Sequence, residues 1–261
     1  MKLPRRLAHS ESAELVDHLG ELRARLFVSL GALSAGFAVG YAFHARLISL
    51  LNEALPAGRR HPITLGVTEP FMTSIKVSLY AGFALALPVL LWQAWSFFAP
   101  AVAVGTQRVV GWFVVVATVL FAGGVVFAYR LALPAAVHFL TNYDSDLYDI
   151  QVRASSYYSF ALLVLLAVGL VFELPIFILG LVRLGVTTST KLRRNRRIGY
   201  VAVAALAVAL PGVDPVTTAF EMVPLFILYE SSIWLSVFFE RRWARAAIAT
   251  ATPRASSASG G

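Results

Sequence analysis

The stretch Ala154–Val182, ASSYYSFALLVLLAVGLVFELPIFILGLV, decides the fold. It holds a single charged residue, Glu173, and is longer than the ~20 apolar residues a helix needs to cross a bilayer at 1.5 Å per residue. Working outward, similar runs occur at Leu26–Ala45, Val77–Trp95 and Val109–Tyr129 on the N-terminal side. Ile198–Val213 and Val216–Phe239 follow on the C-terminal side. These runs are apolar on every side, so length and lack of charge identify them rather than amphipathic periodicity. Helices satisfy their own backbone groups, as lipid requires. The ~10-residue alternating segments of a membrane barrel do not occur. The expectation is an all-α polytopic membrane protein with six spans.

Composition agrees. Of 261 residues, 58% are hydrophobic and 14% charged, against roughly 25% charged in a soluble domain. The net charge of +8 would suit nucleic acid in a soluble protein. Here the basic residues flank long apolar runs, so they read as lipid-facing flanks, and no nucleic-acid partner is expected. Without cysteine there is no disulfide framework, and the five histidines form no metal spacing. Met1–Arg6 is not followed by an apolar run, so Arg5-Arg6 reads as a flank rather than a cleavable or twin-arginine signal.

Orientation follows from the 22 Lys and Arg residues. With the N-terminus inside, the outer loops receive only Arg46, Arg59, Arg60, Lys76, Arg130 and Arg153, and all the others fall on the cytoplasmic side. That bias predicts both termini inside and an even number of spans. The expected organisation is a cytoplasmic N-terminal segment with an amphipathic helix (1–25), a six-helix membrane domain (26–243) and a disordered cytoplasmic tail (244–261), Ser/Ala/Gly-rich from Thr252 onward. Pro211-Gly212-Val213-Asp214-Pro215 makes a tight outer turn after a fifth span that is short for a bilayer. No internal repeat of the inverted transporter kind is present.

Motifs for soluble catalysis are missing, so neither an enzyme nor a cofactor is expected. Glu173, beside Pro175, is an ionisable group at membrane depth, where it costs roughly a few kcal/mol unless paired or hydrated. It is either a polar contact for another helix, a proton-linked site, or a carboxyl held neutral inside the bundle. Glu221 and Glu230 are nine residues apart on the sixth span and face opposite sides; Glu230 is the better functional candidate. In the N-terminal segment, Leu15, Leu19, Leu22 and Leu26 mark an amphipathic helix on which Glu21 and Arg25 form an i,i+4 pair. That helix is either simply solvated or presents the Glu21 carboxylate to a basic ligand.

Taken in order, HLGELRARL at the first span, EPFMTSIKVSL at the second, WQAWSFFAPAV after it, VFELPIFI in the fourth and the turn PGVDPV resemble the TatC family, the polytopic core of the twin-arginine protein translocase. The resemblance runs from about Leu15 to Trp243. It implies a cupped arrangement of six helices with short last spans (here clearly only the fifth) in the cytoplasmic (inner or plasma) membrane. It further implies a receptor for twin-arginine signal peptides on folded cargo that recruits single-span TatA/TatB-type subunits. Transport would be driven by the proton motive force, and a homo-oligomer is compatible with this. By the same resemblance Glu21 helps bind the signal arginines, with His18, Arg23 and Phe97 on the same surface. The resemblance makes Glu173 a polar contact for partner helices, Asp214 the outer-turn Asp and Lys76 the Lys after the Pro-Phe pair; Glu230, from its depth in the sixth span, is taken as a second partner-contact residue, and Pro215 as part of the outer turn.

One departure stands out. The family's first cytoplasmic loop carries a second Glu, and the aligned position here is Thr106, followed by Gln107. These offer hydrogen bonds but no charge, a loss worth roughly 1–3 kcal/mol in arginine recognition unless another carboxylate such as Asp17 replaces it. The competing reading is a small-solute or ion secondary transporter using Glu173 and Glu230 as relays.

Overall fold

A computed structural model describes residues 9–98, 106–210 and 215–251, with side-chain surroundings for 20–96, 111–210, 215–243 and 245. The described residues form ten α-helices: α1 (His9–Ala42), α2 (His44–Glu53), α3 (Glu69–Phe98), α4 (Thr106–Phe127), α5 (Leu133–Asn142), α6 (Ala154–Val171), α7 (Leu174–Arg183), α8 (Ser189–Arg194), α9 (Arg196–Ala209) and α10 (Pro215–Ala251). A 3-10 turn at Ala57–Arg59 follows α2, and a π-helical stretch at Ala128–Ala132 joins α4 to α5.

Among the described residues, five segments are long and apolar enough to cross a membrane: Gly20–Ala42, Glu69–Ser96, Gly111–Asn142, Ala154–Arg183 and Pro215–Trp243. The expected fifth span corresponds to α9. Its 14 residues rise about 21 Å, short of the ~30 Å hydrocarbon core. Helix boundaries differ from the expected domain limits at both ends. α1 passes unbroken through 25/26, and α10 continues through 243/244 to Ala251, because the alanine-rich run after Trp243 favours helix.

The helices form an open row rather than a closed bundle. α1 packs along α3; α3 meets α4 and α6; α7 packs on α10, and α9 sits on α10 at the far edge. The α1–α3 contact depends on glycine. Gly36 and Gly40 of α1 meet Ser78 and Gly82 of α3 so closely that a Cβ at Gly82 would lie 2.5 Å from the Phe37 nitrogen, and one at Gly40 2.7 Å from the Ser78 carbonyl oxygen. Where lipid removes the hydrophobic drive between helices, such small-residue faces let backbones approach and gain dispersion contact.

The central span is broken. Pro175 has no N–H to continue the ladder, so α6 ends at Val171, the Glu173 N–H turns to the Leu170 carbonyl at 3.1 Å, and α7 starts anew at Leu174. Pro88 and Pro224, by contrast, are accommodated inside α3 and α10.

The two faces of the row, where the helices begin and end, differ in chemistry. At one end gather the start of α1, the end of α3, α8 and the ends of α7 and α10. There Trp95 packs edge-to-face on Phe113 at 5.1 Å, and the Arg183 guanidinium lies 4.5 Å over the Trp243 ring. At the other end α2, residues 54–68 and residues 143–153 form a cap. Ile63 and Arg153 make a short parallel bridge, with Ile63 N–H donating to Val152 at 2.9 Å and Ala154 N–H to Ile63 at 2.8 Å. The Tyr158 hydroxyl bonds Asn52 at 2.7 Å, the Tyr129 hydroxyl the Leu50 carbonyl at 2.8 Å, and Arg59 the Thr141 carbonyl at 2.7 Å. Tyrosines thereby tie α2 to the spans beneath it.

Candidate functional site

At the arginine-rich end, Glu21 and Arg25 pair across one turn of α1. Arg25 also donates to the Gln93 carbonyl of α3 at 3.0 Å. This bond fixes the start of the first span against the end of the second. Glu21 remains exposed, and the Arg23 guanidinium lies 5.7 Å from the Phe27 ring centroid. Gln93 stands one turn before Phe97 in the last turns of α3, and Thr106 and Gln107 open α4. The structure therefore brings Glu21 and Arg23 to the α3 end that carries Phe97. The side chains of His18, Phe97, Thr106 and Gln107 lie outside the described surroundings, as does residue 99–105 backbone.

Glu173 stands at the α6–α7 break, N-terminal to α7, and makes no side-chain cap. Both carboxyl oxygens are buried, and neither has a hydrogen-bond partner among the described residues. Ten residues separate it from Arg183, about 15 Å along a helix, so it lies well inside the apolar segment Ala154–Arg183. Its neighbour Phe172 packs on Phe127 at 5.5 Å and against Gly124, where a Cβ would come within 2.7 Å of the ring.

Glu230 has a different environment. It accepts from the Tyr200 hydroxyl and pairs with Arg196 at 3.3 Å, fastening α9 to α10. Glu221 is buried, on the same helix as the buried Thr217 one turn before it. Pro215 is the first residue of α10, where its missing N–H costs nothing, and Asp214 lies outside the described residues. Lys76 donates to Ser159 at 3.1 Å, linking α3 to α6.

Two features escaped the sequence reading. Glu69, the first residue of α3, is buried and accepts from the Leu65 N–H (2.9 Å), the Gly66 N–H (3.2 Å), the Ser155 N–H (2.8 Å) and Arg153 (3.2 Å). An acidic residue followed by proline at a helix start was the available signal. The Gly36-x-x-x-Gly40 spacing in the first span was the second.

Among the described residues no group of histidine and acidic side chains could hold a metal. The chemistry on offer is recognition: an exposed carboxylate at one end and an unsatisfied buried carboxyl at mid-depth. Residues 17–224 match the family model for the Sec-independent protein translocase protein TatC. The chain is 34% identical over 227 residues to the Sec-independent protein translocase protein TatC of Carboxydothermus hydrogenoformans, covering 87% of this chain and 93% of that one. It is 31% identical to the chloroplastic TATC of Pisum sativum, covering 88% of this chain and 65% of that one. A crystal structure of the twin arginine translocase receptor TatC in DDM superposes with a TM-score of 0.73 at 33% identity, covering 84% of this chain and 99% of that one.

Proposed function

The chain belongs to the TatC family of Sec-independent protein translocase proteins, and from that premise we propose that it is the signal-peptide receptor and scaffold of its translocase. As a family member it is a membrane component of the twin-arginine translocase working with other Tat subunits, in a family of non-enzymes; the solute-transporter alternative is not favoured. In our reading both termini face the cytoplasm across the cytoplasmic membrane, and the arginine-rich end receives the paired arginines of folded cargo. Transport is driven by the proton motive force.

The observation that carries this reading is the Arg25 bridge, which holds the exposed Glu21 carboxylate beside the end of α3. A carboxylate has lone pairs for more than one guanidinium, so Glu21 can keep Arg25 and still accept an incoming arginine in a charge-assisted bond. By the family resemblance His18, Arg23 and Phe97 belong to the same recognition surface, to which Thr106 and Gln107, at the start of α4, bring neutral hydrogen-bonding groups. At mid-depth, Glu173 offers its unsatisfied carboxyl to a polar group on a TatA/TatB-type single-span subunit. Glu230 contributes to partner contact through the α9–α10 unit it fastens together.

The test is binding of a twin-arginine signal peptide, against its twin-lysine version, to the full chain in detergent or nanodiscs. Glu21→Gln should weaken binding about tenfold or more, the worth of one charge-assisted hydrogen bond. Thr106→Glu should strengthen it. Undiminished affinity of Glu21→Gln would remove Glu21 from the receptor site.

A further inference from the structure

α8 and the end of α10 border a groove of about 660 Å³ lined by Arg193, Trp234, Phe238, Arg241, Arg242 and Arg245. We infer that this groove is a binding site for an anionic phospholipid, with the headgroup phosphate held by the arginines and an acyl chain laid along Trp234 and Phe238. Three observations carry the assignment.

First, the cluster is built from two helices. Arg193 comes from α8 and the others from α10, so it is more than the basic flank that follows many spans. α8 is held in place from α10 itself, since Glu240 accepts the Ser189 N–H at 3.2 Å. Glu240 lines not this groove but the hollow beside it, where its carboxylate is engaged by that backbone donor. An adjoining hollow shares Arg193 and Arg241 and adds Arg194, extending the positive field.

Second, the axial order matches a lipid. Trp234 and Phe238 lie inside the Pro215–Trp243 span, while Arg241 and Arg242 fall in its last turn and Arg245 just past its end. Eleven residues of helix separate Trp234 from Arg245, about 16 Å, with the apolar groups at depth and the charges at the interface. A soluble phosphate would need the charges but not the aromatic floor, and a basic pocket beside spanning helices favours anionic headgroups.

Third, the aromatic floor is not covered by the described residues of this chain. Trp234 is 62% and Phe238 58% exposed, whereas Trp243, one turn on, is taken up by Arg183 and Phe239. Arginine suits such a site because its planar fork binds phosphate oxygens in pairs.

The experiment uses the full chain in detergent. Native mass spectrometry counts retained lipid after adding phosphatidylglycerol or phosphatidylcholine, with inorganic phosphate as competitor. The expected result is preferential retention of phosphatidylglycerol, reduced about tenfold or more by Arg241→Gln with Arg242→Gln. It should be unchanged by Lys191→Gln with Arg197→Gln, which removes the same charge at the same end outside the groove. Brominated-chain phosphatidylglycerol should quench tryptophan emission in the wild type and less in Trp234→Phe, a readout that keeps every arginine. Equal retention of the two lipids, equal losses in both double variants, displacement by inorganic phosphate at comparable concentration, or quenching unaffected by Trp234→Phe would each overturn the assignment.

Discussion

Glu69 and Glu173 are both half of a helix-start signal, each next to a proline at the beginning of a helix, and their fates are opposite. Glu69 opens α3 followed by Pro70; its carboxylate receives three backbone N–H groups and Arg153. Glu173 precedes α7 with Pro175 two residues on, and both of its oxygens lack a partner among the described residues. Helix dipole and proline are common to the two, so they do not explain the difference. Location does. Glu69 lies where residues 60–68 run as non-helical chain and Ser155 stands in the first turn of α6, so the N–H groups there have no helical carbonyl to bond and are free to point at a carboxylate. At mid-depth nearly every N–H is engaged in its own helical ladder, so Glu173 can be satisfied only by a side chain or by another molecule. One carboxylate closes the cap; the other is left available.

Glu69→Gln should break this comparison most severely. The amide keeps one acceptor but loses the charge that four donors converge on. The melting temperature in detergent should fall on the order of 5 °C or more, with proteolytic cleavage appearing in residues 54–68. An unchanged cleavage pattern would show that the cap holds without this carboxylate.

Glu173→Leu should have the opposite sign. Removing a buried, unpartnered carboxyl should stabilise the isolated chain by roughly 1–3 kcal/mol, read as a higher melting temperature. The amount of single-span Tat subunit recovered with the chain should fall. Stabilisation without loss of partner would make Glu173 a purely internal group.

Arg153→Ala should have the smallest effect, under about 1 kcal/mol. The Arg153 side chain is 47% exposed, and the backbone donors continue to satisfy Glu69. A loss as large as that of Glu69→Gln would mean the ion pair, not the backbone, holds the cap.

The spans were legible because length and the absence of charge survive any tertiary arrangement. Ala154–Val182 is apolar wherever it packs, and the bilayer fixes its minimum length. The short fifth span was legible too, bounded in the sequence by Arg196-Arg197 on one side and by Pro211 and Pro215 on the other. Glu173 stood out because a lone charge in such a run is costly on any topology. Glu69 did not, because its importance comes from Ser155 and Arg153, more than eighty residues away in sequence. The glycines of α1 gave a local signal, but its meaning depends on Ser78 and Gly82 facing them. The exposed Glu21 was found by its pairing with Arg25, which is local, while the link to Gln93 is not.

By itself, then, the sequence determined that this protein is a set of membrane-length helices, which of them is too short, and where a costly carboxyl lies, since each is a property of one segment in lipid. The tertiary structure alone decided that the helices form an open row with α1 and α9 at its edges, that Glu230 is tied to Arg196 while Glu173 has no partner among the described residues, and that α8 and α10 together make an arginine-lined groove. Those outcomes depend on which distant side chains meet, and identical segments packed in another order would distribute the same charges differently.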